Sequence, residues 1–416
     1  MQVLKIAVLV VFLFTATVKA GAEQLASILP SCALECMVST MAQTSCAATD
    51  QKCLCTDAKY TDALEKCVLV SCTIRQSLTT KNVTTSACGA PIRDRTKVVS
   101  YAGVAGGIVA LIAYILRMVA RFKCSGTFGM DDWTMTLTMC LVIPLSVLSV
   151  VLADTGLGRD LWTLPLDNIT HILYIYFWDE LIYLSILPLT KISILCFYLR
   201  IFPERRFRIV TYFVIGLNVC YLIVFVLISV FQCRPLPGAW LHWDGEGDYK
   251  CNNINAQGWA SAIINMALDI IVMALPLRQL YNLNLSARKK AYVMCMFGLG
   301  IFVTLVSILR LNSLIHFAST ENLTWDYVTI GYWSTIECDV GVICACLPAI
   351  RSLLRQAAPG MFGDTEQTKS YGMNSHSRGN SRLESSIYVQ GKGENRQFYP
   401  LNDIETSSEA RLHHRT

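Results

Sequence analysis

The sequence predicts an all-α membrane protein, in which a small disulfide-stapled module precedes a bundle of seven transmembrane helices. Three observations carry this expectation. The chain of 416 residues is 53% hydrophobic and 16% charged, with mean hydropathy +0.44, whereas a soluble domain carries roughly a quarter charged residues. Seven stretches are apolar and long enough to cross a bilayer, and only a helix satisfies every backbone hydrogen bond within one such span. Eight of the 18 cysteines crowd between Cys32 and Cys88, the density of a small oxidised module outside the cell. A net charge of +5 falls far short of the basic field that displaces counterions from nucleic acid, so nucleic acid is excluded as a partner.

The elements follow in chain order. Lys5 leads into the uncharged run Ile6 to Val18, and Val18-Lys19-Ala20 places small residues where signal peptidase cuts, so residues 1–20 are expected to be a cleaved signal. That run covers only about two thirds of a ~30 Å hydrocarbon core. Residues 21–95 form the cysteine module and residues 96–355 the bundle, with spans near 98–119, 132–153, 171–200, 209–232, 256–278, 291–317 and 326–350. No internal repeat of the kind found in many secondary transporters is visible. Residues 356–416 turn to Ser, Gly, Asn, Arg and Glu, too polar to offset their chain entropy, and are expected to be a disordered cytoplasmic tail.

Loop charges set the orientation. Arg117, Arg121, Lys123, Arg200, Arg205, Arg206, Arg208, Arg278, Arg288, Lys289, Lys290, Arg351 and Arg355 share one side, against Arg159, Arg234 and Lys250 on the other. The first side is therefore expected in the cytoplasm. Arg93, Arg95 and Lys97, just outside the first span, break the pattern. Sequons at Asn82, Asn168 and Asn322 fall on the outer side and are candidates for glycan, whereas the sequon at Asn284 falls inside. Cys233 and Cys251 flank an outer loop rich in Pro and Trp, where an oxidising compartment would pair them and pin the loop as a lid.

Asp179, Glu180, Lys191, Asp269, Arg310, Glu337 and Asp339 lie at membrane depth, where an unpaired charge costs at least ~2.5 kcal/mol. They are expected to face inward and pair, with Glu337 the first candidate partner of Arg310. Two roles stay open for this network, static glue between helices and a rearranging switch. Gly103 and Gly107 form a Gly-x-x-x-Gly that permits close helix contact or dimers. The chain has no His-Glu-x-x-His, nucleophile elbow or phosphate-cradling loop, so no catalytic centre and no enzyme activity are expected.

The first eight cysteines run Cys32-x3-Cys36-x9-Cys46-x6-Cys53-x-Cys55-x11-Cys67-x4-Cys72-x15-Cys88, a string whose spacing alone leaves 105 pairings open. With Pro30 before the first cysteine and Asp50 before Cys-Leu-Cys, the string resembles the fungal CFEM domain. The resemblance implies a small helical basket, bridges Cys32–Cys72, Cys36–Cys67, Cys46–Cys53 and Cys55–Cys88, and, in haem-binding members, Asp50 as axial ligand of ferric haem iron. The alternative for Asp50 is a helix or turn cap. A zinc site at Cys53-Leu-Cys55 is disfavoured, because secreted thiols oxidise and the module holds no histidine.

The bundle resembles the fungal rhodopsin-like family of integral membrane proteins, often joined to CFEM domains in surface-sensing receptors of plant-pathogenic fungi. Gly129-Met-Asp131-Asp132-Trp133, Cys233-Arg-Pro with Trp240 and Cys251, Asp269 before Leu275-Pro276-Leu277, Ser307-Ile-Leu-Arg310-Leu, Glu337 and Cys346-Leu-Pro348 carry it. Retinal is not expected, since 326–350 holds no lysine for a Schiff base. The third span ends Phe197-Tyr198-Leu199-Arg200 without an acid-Arg-aromatic triplet, and the seventh lacks Asn-Pro-x-x-Tyr. The resemblance implies a plasma-membrane receptor of the G-protein-coupled-receptor-like class, N-terminus outside, contacting lipid and a heterotrimeric G protein or another cytoplasmic effector. The alternative is a membrane-anchored protein whose CFEM domain captures ferric haem.

Overall fold

The computed structural model describes residues 28–125, 127–281, 287–317, 320 and 322–357. The expected signal segment, the Asn284 sequon and the tail beyond residue 357 lie outside the described residues. The fold is all-α, with a single two-residue hairpin ladder among the described residues.

Among its described residues the cysteine module contains the helices α1 (Ser31–Thr40), α2 (Gln51–Thr56), α3 (Ala58–Ser71) and α4 (Ile74–Ala87). Local sequence starts them. Asp57 caps α3 by accepting the Lys59 N–H at 2.9 Å, and Thr73 with Gln76 forms a reciprocal capping box at the head of α4. Tyr60, Leu64 and Val68 recur one turn apart on α3 and bury against Cys36 of α1. So small an apolar cluster cannot hold a module of this size alone, and covalent staples make up the difference. The bridges are Cys32–Cys72, Cys36–Cys67, Cys46–Cys53 and Cys55–Cys88, with Cα atoms 5.6 to 5.7 Å apart.

Among the described residues seven long helices follow: α5 (Thr96–Ala120), α6 (Met130–Thr155), α7 (Leu166–Ile201), α8 (Arg205–Val230), then α10 (Ile254–Tyr281), α11 (Ala287–Phe317) and α12 (Leu323–Ala357). Among the described residues five of them, α5 to α8 and α10, are long and apolar enough to cross a membrane. An apolar run at Gly300–Ile315 lies within α11, while α12 is long but carries Asp326, Glu337 and Asp339. Gly103 and Gly107 of α5 are used inside the chain. A methyl group at either position would overlap the Ser149 or Ser146 hydroxyl of α6, so the glycines set how closely these helices approach. Helix α6 ends at Gly156, whose φ of 111° suits a residue without a Cβ.

Between α8 and α10 the chain forms a hairpin, β1 (Cys233–Arg234) antiparallel to β2 (Lys250–Cys251), with the short helix α9 (Gly238–Leu241) at its far end. Cys233 and Cys251 are bridged. Trp240 packs edge-on against Tyr174 and Phe177 at 5.1 and 5.7 Å, and Trp243 Nε1 donates to Thr170 Oγ1 at 3.0 Å. The hairpin therefore covers the first turns of α7.

The cysteine module sits on this end of the bundle. Arg75 of α4 donates to Asp244 Oδ2 at 2.7 Å and lies over the Trp243 ring. Lys81 lies over Trp162, and Arg93 pairs with Asp160. Arg159 meets Asp94 at 3.2 Å, while Arg93 and Arg95 both stack on Trp325. The two arginines that break the loop-charge pattern thus have local partners.

Candidate functional site

Polar groups inside the bundle gather at three depths. At the end nearest the cysteine module, a cavity of about 50 Å³ opens between α7, α10, α11 and α12, lined by Tyr176, Asp179, Glu180, Tyr183, Arg310 and Ser334 among others. At roughly 10–15 Å³ per water it has room for about three to five waters, well below a drug-sized pocket of about 300 Å³ or more. Glu180 Oε1 accepts from Ser229 Oγ at 3.3 Å, and its Oε2 is buried without a partner. Ser229 in turn accepts from Gln257 Nε2 at 2.6 Å.

Next comes a core of interhelical bonds centred on Glu337. Its Oε2 accepts from Tyr183 at 2.6 Å, and its Oε1 accepts from Asn265 at 3.0 Å and Ser307 at 2.5 Å. Lys191 Nζ donates to Asn265 at 2.6 Å and pairs with Asp269 at 3.1 Å. Four helices, α7, α10, α11 and α12, are tied here.

This arrangement corrects the expectation that Arg310 pairs with Glu337. Arg310 Nε donates to Ser334 Oγ at 2.9 Å and its guanidinium stacks on Tyr183 at 4.2 Å. Helices α11 and α12 run antiparallel with Ser307 opposite Glu337, which puts Arg310 opposite Ser334, one turn away. Neutral donors already fill both oxygens of Glu337. The expectation that all seven charges pair is corrected as well. Lys191–Asp269 is the one ion pair within the set among the described residues, and both oxygens of Asp339, 3% exposed, lack a partner where the side chain presses on Gly106.

At the far end lies a cluster that sequence reasoning did not assemble. Arg117, 1% exposed, donates from Nε to Asp132 at 3.0 Å, from Nη2 to Asp131 at 2.7 Å and from Nη1 to the Ala345 carbonyl of α12 at 2.6 Å. Arg121 repeats the two aspartate contacts one turn later. Arg200 at the end of α7 approaches Asp131 at 3.7 Å and Asp132 at 4.0 Å, and Ser193 Oγ donates to the Asp131 carbonyl at 2.7 Å. Asp132 also accepts the Gly129 N–H at 3.2 Å, so it closes the first turn of α6 while holding two arginines. The signal was present: Arg117 and Arg121 stand at i, i+4 on one face, and two acids open the next helix. Treating the arginines as orientation markers hid it.

The remaining site residues lie apart. Asp50 is exposed and caps α2, its Oδ1 accepting the Cys53 N–H at 3.0 Å. As an anionic oxygen donor on a disulfide loop it fits the ligand set of a ferric ion. Asn82 is half-buried on α4, and Asn168 Nδ2 donates to the Thr155 carbonyl at 3.2 Å. Asn322 corrects the glycan expectation for its sequon: it is buried, its Nδ2 donates to Asp160 at 2.8 Å, and its Oδ1 accepts the Leu161 N–H at 3.0 Å. The nitrogen that would carry sugar is inside the fold.

Comparison with known proteins places these features. Residues 25–89 match the CFEM domain and residues 116–356 the fungal rhodopsin domain. The SAT4 family membrane protein of Emericella nidulans is 31% identical over 42% of this chain and 44% of its own length. Fugralins biosynthesis cluster protein 2 of Gibberella zeae is 24% identical over 60% of this chain and 63% of its own. Receptor GIN3 of Arthrobotrys oligospora is 24% identical over 61% of each. The chain thus spans about half to two thirds of the length of these curated relatives. No solved structure matches. With a seven-helix bundle matched over most of its length and a four-bridge module ahead of it, the chain belongs to the fungal rhodopsin domain family and carries a CFEM domain at its N-terminal side.

Proposed function

We propose that this membrane protein is a plasma-membrane sensor of the G-protein-coupled-receptor-like class. The CFEM domain and hairpin face outward, a cue is received on that side, and a heterotrimeric G protein or another cytoplasmic effector reads the end that holds the Arg–Asp cluster. One observation carries the reading: contacts run without a break from the CFEM domain into α7. Arg75 holds Asp244, the adjoining Trp243 holds Thr170 at the head of α7, and the same helix presents Glu180 to the cavity, Lys191 to the core and Arg200 to the cluster. A helix that only anchored an outer domain would need no such chain. The name of the relative Receptor GIN3 agrees with this class.

The test uses the full chain and Asp132→Asn, expressed in a fungal host at matched surface amounts, with basal intracellular cAMP as the readout. Loosening the cluster should shift the level on the order of fivefold, the low end of allosteric coupling. Equal levels in the two strains would sink the receptor reading.

A second reading, capture of ferric haem, is favoured by the exposed carboxylate of Asp50 on the Cys46–Cys53 loop. Bound there, haem would supply a ferric centre that an anionic oxygen stabilises over the ferrous one. Asp50→Asn separates the two roles of the residue, because Asn caps a helix as well as Asp does but gives up the charge. Haemin added to the full chain in detergent should change its Soret band, and the change should vanish in Asp50→Asn. An unshifted band with the parent chain ends the haem reading.

A further inference from the structure

We propose that the cavity at the CFEM end of the bundle binds a small zwitterion, its ammonium held by Asp179 and Glu180 and its carboxylate by Arg310; this names a ligand class for the receptor reading and takes its biological meaning from it. The inference starts from unmet bonding capacity of both signs in one void. Glu180 Oε2 is buried and accepts from nothing, and Asp179 beside it on the cavity wall makes no ion pair or hydrogen bond among the described residues. A buried anionic oxygen without a donor is costly, and a ligand ammonium supplies three.

Arg310 faces the same void from α11. Its Nε is used by Ser334 and its plane by the Tyr183 ring, while its terminal nitrogens donate to no protein group among the described residues. Stacked and tethered at Nε, the guanidinium presents the side of its fork that carboxylates take in pairs. Among the described residues no acid makes an ion pair or hydrogen bond with Arg310, because the one-turn register offset gives Glu337 to Ser307 instead.

Charge and size narrow the ligand. A simple cation would balance the net charge of two acids and one arginine but leave the terminal N–H groups of Arg310 without an acceptor, and a simple anion would answer Arg310 but face two carboxylates. A zwitterion meets both walls. Space for about three to five waters suits a ligand of about five or six heavy atoms, which is the size of the smallest amino acids. The void also borders Tyr176, whose ring meets Tyr327 edge-on at 4.5 Å, giving an ammonium an aromatic face as well as a carboxylate.

The experiment uses the full chain in lipid nanodiscs, with glycine and L-alanine as probes and ethylamine and propionate as their separated halves. Thermal unfolding should rise by a few degrees in a saturable way with glycine or alanine and by less with either half at equal concentration. Arg310→Gln and the double variant Asp179→Asn, Glu180→Gln should each lose that rise. Should a variant fail to fold, the parent carries the test alone, through retention of labelled glycine that unlabelled alanine displaces and that an equimolar mixture of ethylamine and propionate does not. No shift and no retention in the folded parent overturns the proposal, as does ethylamine acting as well as alanine and indifferently to Arg310→Gln. Retention of glycine together with unchanged cAMP in Asp132→Asn would support the site and sink the receptor reading. A cAMP shift without amino-acid binding would do the reverse.

Discussion

Arg117 is the residue on which the far end of the bundle turns. It is 1% exposed, yet it holds both aspartates that open α6 and a carbonyl of α12, so one side chain joins three helices. Two arginines against two aspartates balance there, with Arg200 a third cation at the edge. Deep ion pairs add little net stability over an apolar packing, but breaking one partner away leaves its mate charged and dry. Arg117→Leu is therefore expected to cost about 3–5 kcal/mol, read as a fall in the thermal or denaturant midpoint in detergent. Arg117→Leu combined with Asp132→Leu should cost less than Arg117→Leu alone. Additive losses would argue that the two side chains do not act as a unit.

Helices show where sequence is a sufficient guide and where it is not. Seven long helices were legible, and for five of them, α5 to α8 and α10, the apolar run alone is long enough to fix a membrane-crossing helix. The cysteine string was legible once its likeness to a known module fixed the bridges, which spacing alone left open. Pairing inside the bundle was not legible, because it depends on register between helices that are distant in the chain. Shifting α11 by one turn against α12 exchanges Ser334 for Glu337 as the partner of Arg310, and both versions look alike in sequence. Asn265 illustrates a second blind spot. A search for charged residues passes over it, although it bridges Lys191 to Glu337 and also approaches Asp269 at 3.4 Å. Gly106 is a third, visible as a helix glycine but not as the notch that receives Asp339.

Under the proposed receptor function the whole molecule turns on how the CFEM domain is seated, since a domain that swung freely could pass nothing to the bundle. Its seat consists of Arg75–Asp244, Arg93–Asp160 and Arg159–Asp94, backed by the Trp162, Trp243 and Trp325 rings. Two of these acids titrate differently from free carboxylates. Burial pushes the Asp244 carboxyl up, but the Arg75 bond and the Glu246 backbone N–H outweigh it and hold the group below its ordinary value. The Asp94 carboxyl is held down first by the Thr96 hydroxyl and backbone N–H and then by Arg159. A carboxyl depressed by folding contributes stability above its unfolded pKa, near 4, and that contribution is lost as pH falls through the folded value. Hydrogen exchange in residues 238–251, corrected for intrinsic rate, should therefore be flat between about pH 5 and 8 and rise below about pH 4. Asp244→Asn should remove most of that rise in the hairpin. Salt gives the complementary signature: at 1 M the screening length falls to about 3 Å, so Arg159–Asp94, half exposed on both sides, should weaken before Arg75–Asp244, whose acid is 9% exposed. Exchange that rises equally at both contacts in salt, and not at all in acid, would mean that the tryptophan stacks, rather than the ion pairs, hold the domain on the bundle.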